Sequence, residues 1–360
     1  MTFEEARAAF PVLGRYAYLN AGSVGPIAQR TYDAMVEAGR SELGPRGSHP
    51  TFEEIIEARK GLRKVIGGQI GVDSSRIALT TSTSEACRIV VAGLELGPAD
   101  EIVTTDAEHF GLLGPVHASG AHVRVAAVRD RPAAEALDAI LAEVGPRTKL
   151  VALSHVLWLN GHVIPVDELR AAVSVPLLVD GAQSVGAIPV DAAGLDFYTV
   201  SGQKWLCGPT PTGGLSVRDP DSLRVAGPSY FSQASYDPDG AFVPREGAAR
   251  FERSWIAAAH IAGLEAALHD LPDWRFQRAR EMTDRCRELL LDAGLDVVTE
   301  PGQGTLVSWR WEGDTTEVVK RLYAKDIVVR DLPRTGLLRA SCGYWTSEDD
   351  LQRLRTSLRS

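Results

Sequence analysis

Between residues 60 and 215 short apolar runs alternate with helix-like stretches, and this alternation limits the possible folds more than any other feature of the chain. The apolar runs at 76–80, 101–105, 122–127, 149–154, 175–180 and 197–201 read as strands, with helical patterns at 84–94, 132–144 and 167–173 between them. Continuous apolar strands alternating with helices imply an α/β fold: a mostly parallel sheet covered on both faces. Ligands of such sheets bind beyond the carboxyl ends of the strands. Asp180, Lys204, His109 and the turn Thr81-Ser82-Thr83-Ser84 all fall at such ends.

Past residue 217 the pattern changes. A polar stretch rich in Gly, Pro and Ser runs from 227 to 247, long enough to be a lid, a subunit contact or a disordered loop. An apolar-faced helix is expected at 256–271, followed by strands at 295–299, 305–311, 327–330 and 337–341 and helices at 316–324 and 347–358. A chain of 360 residues exceeds one comfortable core, so two domains are expected. Residues 16–245 would form a large α/β domain, and residues 1–15 with 246–360 a smaller α+β domain.

The net charge of −9 argues against nucleic acid as a partner, since that calls for basic patches. No run approaches the 18 apolar residues a membrane span needs, and the acidic start Met1-Thr2-Phe3-Glu4-Glu5 does not resemble a secretory signal. Cys87, Cys207, Cys286 and Cys342 lack metal-site spacing, so neither a metal nor a disulfide framework is expected, and a reducing cytoplasm fits.

Lys204 and Asp180 make a recognisable pair at the ends of two neighbouring strands. An amine can hold an aldehyde cofactor as a Schiff base, while a carboxylate can keep a pyridine nitrogen protonated. The residues around them are Val179-Asp180-Gly181-Ala182-Gln183-Ser184-Val185-Gly186 and Ser201-Gly202-Gln203-Lys204-Trp205-Leu206-Cys207-Gly208-Pro209. At this spacing they resemble the D-G-A-Q and S-x-H-K-x-x-G-P runs of the class V aminotransferase family. That family also holds cysteine desulfurases, isopenicillin N epimerase-like proteins and C–S lyases. The resemblance implies the type I fold of pyridoxal 5'-phosphate (PLP) enzymes, with a seven-stranded sheet, PLP as cofactor, and a homodimer whose active site lies at the subunit interface.

The resemblance also implies roles. Lys204 matches the Schiff-base lysine, Asp180 the partner of the ring nitrogen, and Gln183 the donor to the ring's phenolic oxygen. His109 matches the residue that stacks on the ring and assists proton transfer. Thr83 and Ser84 match phosphate-binding positions at a helix start, where backbone N–H groups favour anions. Ser201 and Gln203 are expected at the same phosphate, Gln203 standing where the family usually has His and adding no charge. Arg339, in Leu338-Arg339-Ala340-Ser341, matches the arginine that forks onto a substrate carboxylate, which implies an amino-acid substrate. In Ser154-His155-Val156-Leu157-Trp158-Leu159-Asn160-Gly161, Trp158 replaces an Asn that reaches cofactor and substrate, narrowing the pocket. In Arg250-Phe251-Glu252-Arg253-Ser254-Trp255 the family's Gly-Thr pair is missing, and Ser254 is the one candidate to replace its contact with the partner's phosphate.

The expected reaction is of aminotransferase type, with Lys204 as the proton shuttle. The alternatives are a C–S lyase or epimerase on the same scaffold, and a PLP-binding protein without turnover. A desulfurase is disfavoured because residues 325–338 hold no cysteine to act as a thiolate.

Overall fold

The computed structural model describes residues 1–253 and 255–359. Seven strands form the main sheet: β1 Ile77–Thr80, β2 Glu101–Thr105, β3 His122–Ala126, β4 Thr148–Ser154, β5 Leu177–Asp180, β6 Phe197–Ser201 and β7 Gly213–Val217. Their order is β1-β7-β6-β5-β4-β2-β3, with β7 antiparallel to both neighbours and the other pairings parallel. Every residue of β5, β6 and β7 is buried. This follows from covering both faces, because alternate residues then enter different cores. Val151, Leu153 and Val179 pack into one apolar cluster, whereas Leu150, Ala152 and Leu178 pack into the other.

A second, three-stranded antiparallel sheet follows, with β8 Leu306–Arg310, β9 Arg330–Leu332 and β10 Leu337–Ser341 in the order β8-β10-β9. Val307, Trp309, Leu338 and Ala340 share a core with Cys286, Leu289 and Leu290 of helix Arg275–Asp292 and with Leu351 and Leu354 of helix Glu348–Arg359. Ala17 and Leu19 join this core, and Ala17–Tyr18 pairs in parallel with Ile327–Val328. The N-terminal segment therefore leaves this core and brings Gly22 to Gln183 and Gly25 to Gln203, at the carboxyl edge of the main sheet.

Several elements differ from the sequence expectation. The expected strand at 295–299 makes only a bridge, Val297 to Trp309. The expected helix at 256–271 shortens to Ala258–Ala267. The expected strand at 327–330 is two, Ile327–Val328 and β9. Inside the polar 227–247 stretch an antiparallel ribbon, Gln233–Tyr236 with Phe242–Pro244, folds around Asp239 and Gly240. Its residues are mostly exposed, so no apolar alternation announced it. Helices Gln29–Arg40, His49–Gln69 and Arg275–Asp292 also went unread. The last is largely charged, and its buried stripe of Ala279, Thr283, Cys286 and Leu290 is narrow. No helix among the described residues is long and apolar enough to cross a membrane.

Candidate active site

Two turns anchor the site. Ser82 caps helix Thr83–Gly93, accepting from Glu85 N at 3.2 Å, and the Glu85 carboxylate accepts from Thr81 N and Oγ1, both at 2.7 Å. Thr83 is thus buried at a helix start, while Ser84 is exposed. His109 caps helix Phe110–Ala118, its Nδ1 accepting from Gly111 N at 3.1 Å, so that nitrogen is unprotonated. Beside it, Glu108 accepts from Thr105 Oγ1 at 2.8 Å and from Ser154 N, which ties this turn to β4. Burial raises the Glu108 carboxyl to about 7.

Asp180 ends β5 and is 3% exposed. Its Oδ1 accepts from Ala182 N and from Thr199 Oγ1 on β6, each at 2.9 Å. Lys204 follows β6 by three residues, and the Asp180 charge reaches its ammonium. Burial pulls the Lys204 ammonium down to about 8, Arg339 and Arg330 add to the shift, and Asp180 opposes it. A lysine so placed supplies free amine near neutral pH. The His109 imidazole is likewise held below its ordinary value, by burial and then by the Lys204 charge.

Sheet register brings the candidate phosphate residues together. Ser201 lies opposite Gly213, and Gly213 opposite Thr80, so Ser201 faces the 81–84 turn across a strand with no side chain at that point. The Gln203 amide has one buried end without a hydrogen-bond partner. A half-turn of the amide presents an N–H2 there, so the end can serve an acceptor of either polarity. A helix start, Thr83, Ser201 and an unpaired buried amide form a donor set suited to a phosphate.

Other expected residues have protein partners already. Gln183 Nε2 donates to Gly22 O at 2.8 Å and its Oε1 accepts from Trp205 Nε1 at 2.9 Å, leaving one amide hydrogen. Trp158 packs edge-on against His109, with ring centroids 5.2 Å apart, and its indole N–H is buried and unpaired. Arg339, 1% exposed, donates from Nη1 to Trp158 O at 2.8 Å, while its Nε has no partner. Burial and Arg330 push this guanidinium below its ordinary value. An unpaired N–H on a buried cation is costly and awaits an acceptor. Ser254 lies outside the described residues, and Arg250 bonds Arg245 O, Gly247 O and Asp221.

A model of the class V aminotransferases matches residues 17–300. The chain belongs to the class V aminotransferase family. This class V enzyme is 29% identical to an isopenicillin N epimerase of Streptomyces clavuligerus, over 99% of its own length and 97% of that protein. It is 30% identical to a probable cysteine desulfurase of Methanothermobacter thermautotrophicus, over 74% and 70% of the two chains. The cystine C–S lyase C-DES, solved with its product cysteine persulfide, superposes with a TM-score of 0.90 at 28% identity over 98% of this chain and 99% of that one. A C-DES variant with glycine covalently linked to its PLP gives 0.91. The class V enzyme is PLP-dependent and has the type I fold. The names of its relatives point to lyase and epimerase chemistry rather than to transamination.

Several residues of the site escaped the sequence reading. Thr199 and Trp205 support Asp180 and Gln183, and Gly22 and Ser23 approach from the N-terminal segment. Arg330 faces Arg339 across a strand pair. The Asn20-Ala21-Gly22-Ser23 turn after an apolar run was the available signal for the second group. Nothing local marked Arg330.

Proposed function

We propose that this class V enzyme cleaves the C–S bond of an α-amino acid by β-elimination, with PLP held at Lys204. Bound PLP would supply an electron sink for the charge left at Cα when its proton is removed. Asp180, its Oδ1 steadied by Thr199 and Ala182, would keep the ring nitrogen protonated. Thr83, Ser84, Ser201 and Gln203 would hold the phosphate, and the remaining Gln183 N–H would be free to serve the phenolic oxygen. Arg339 takes the substrate α-carboxylate on its unpaired Nε. The Lys204 amine, buried and short of its full charge near neutral pH, would carry the Cα proton. His109 and Trp158 wall the ring side, His109 neutral. The sum is thioether amino acid plus water giving thiol, pyruvate and ammonia.

One observation carries this reading over a desulfurase: the enzyme offers no thiolate to receive sulfur. All four cysteines are buried, and burial raises the Cys207 thiol well above its ordinary value. The turn between β9 and β10 spans only Pro333 to Gly336. The sulfur therefore departs as the substrate's own thiol. The PLP-loaded enzyme should release thiol, pyruvate and ammonia from S-substituted cysteines without added keto acid. A strict keto-acid requirement would instead establish transamination. Inversion at Cα without thiol release would establish the second reading, epimerisation, which the nearly full-length match to an isopenicillin N epimerase favours.

We also infer a homodimer in the cytoplasm. Tyr32, Val36, Leu43 and Trp255 are large apolar side chains exposed at 57%, 41%, 90% and 62%. Trp255 borders a cavity of about 910 Å³ between helices Gln29–Arg40, His49–Gln69 and Ala258–Ala267. A partner copy would cover this face. Light scattering should give twice the chain mass, and a fully active monomer would contradict it.

A further inference from the structure

Polar side chains from separate segments form a row at the carboxyl edge of the main sheet. Glu108 follows β2, Ser154 ends β4, Asp180 ends β5 and Thr199 lies on β6. Ser154 and Asp180 are register partners, so they project from the same face of strands about 4.8 Å apart. Both Glu108 oxygens reach Ser154, accepting from its N–H at 3.0 and 3.1 Å, and Oε2 also bonds its hydroxyl. At the far end of the row, Thr199 Oγ1 donates to Asp180 Oδ1 at 2.9 Å. Two buried carboxyl groups thus stand on either side of β4, and the Asp180 charge reaches Glu108.

Other buried acids of the chain meet arginines: Glu101 meets Arg147, Glu252 meets Arg59 and Arg63, and Asp350 meets Arg7. Glu108, 5% exposed, is held by neutral donors, and among the described residues no cation pairs with it. The titratable groups that face it are Asp180 and the Cys87 thiol of helix Thr83–Gly93, which burial raises well above its ordinary value. A buried charge without a counter-ion is costly, so this carboxyl keeps its proton until a cation arrives. The cation at hand is the one already assigned to Asp180, a protonated ring nitrogen.

We propose that Glu108 is a positioning residue for the cofactor's ring nitrogen, acting through Ser154 and Asp180 as a second negative charge behind the first. This rests on the assignment of Asp180 to that nitrogen made above. Ionised, Glu108 strengthens the hold on the ring proton. Protonated, it leaves Asp180 to hold that proton alone.

The test measures binding to the apo protein by calorimetry at about pH 8, above the Glu108 value. The probes are pyridoxine 5'-phosphate and its 1-deaza analogue, which has carbon in place of the ring nitrogen. Neither carries an aldehyde, so neither bonds covalently to Lys204. Wild type should bind the nitrogen compound at least about tenfold more tightly than the deaza compound. Glu108→Gln keeps an acceptor for Thr105 and gains a donor for the Ser154 hydroxyl, so the row is preserved without its charge. It should reduce the ratio about three- to tenfold, with the deaza compound binding both proteins alike. An unchanged ratio, or equal weakening of both compounds, would overturn the positioning role and leave Asp180 in place. A wild-type ratio near one would overturn the Asp180 assignment together with the role. One check needs no variant: at about pH 6 the nitrogen compound should weaken a protonated-carboxyl infrared band of the wild type. A band of undiminished intensity would overturn the role.

Discussion

Gly25 is where the N-terminal segment passes against the backbone of Lys204. Its N–H donates to Gln203 O at 2.7 Å, and a Cβ placed on it would lie 2.0 Å from the Lys204 carbonyl oxygen and 3.2 Å from Cys207 Sγ. Both chains at the closest contact are backbone, so no side chain can swing aside. In Gly25→Ala the two segments must part by about an ångström, and displacements of that size can cost roughly a hundredfold in reactivity when they misplace a reacting group. Overpacking a tight site costs about 1–3 kcal/mol, and losing the Gln203 hydrogen bond about 1 kcal/mol more. Urea unfolding of the apo protein should therefore show Gly25→Ala to be about 2–4 kcal/mol less stable. Covalent capture of PLP by Lys204, fixed with borohydride and quantified by mass spectrometry, should slow at least tenfold. Gly14→Ala, where an added Cβ meets nothing within 4 Å, is the control and should change neither. Wild-type stability and capture in Gly25→Ala would refute the close approach that positions Lys204.

Other outcomes test other parts of the site. Glu252 is 1% exposed and accepts from Arg59, Arg63 and Leu79 N, so Glu252→Gln leaves buried cations underpaired and should lose roughly 3–5 kcal/mol in urea unfolding. A loss below about 1 kcal/mol would mean the pair is solvated. Because the free amine is the nucleophile and its ammonium is destabilised, PLP capture should rise with pH through about 8. Asp180→Asn removes a carboxylate that supports the ammonium and should shift this midpoint down, while Arg330→Gln should shift it up. A wild-type midpoint near the ordinary 10.5 would contradict the environment described for Lys204. Gln203→His should tighten PLP binding about three- to tenfold at low salt by adding charge beside the phosphate, and no change in the dissociation constant would place residue 203 away from it.

Much of the fold was legible because a buried parallel strand needs a mostly apolar run, as β4, β5 and β6 carry, while the edge strand β3 shows apolar residues only at alternate positions. Gly213–Val217 was seen only as an apolar end to the region, since its two glycines mute the signal. The ribbon at 233–244 and the helix at 275–292 were missed for the opposite reason: mostly exposed polar residues leave little periodicity to read. Among the site residues, those carried by short spaced motifs could be nominated directly, Asp180, Gln183 and Lys204 above all. The partners of Gln183 could not, because Gly22 lies 161 residues away along the chain.

By itself the sequence determined the family and the cofactor chemistry open to the chain, not the reaction. A lysine, an aspartate and a hydroxyl-rich helix start keep their character wherever they are placed, and their spacing within one strand–turn unit is set by covalent geometry. Tertiary structure alone decided what surrounds them. Sheet register brought Arg330 opposite Arg339, and the threading of residues 20–25 set Gly22 against Gln183 and Gly25 against Lys204. Such encounters depend on how separate segments pack, and no local pattern records the separation of groups that meet only after the chain has closed on itself.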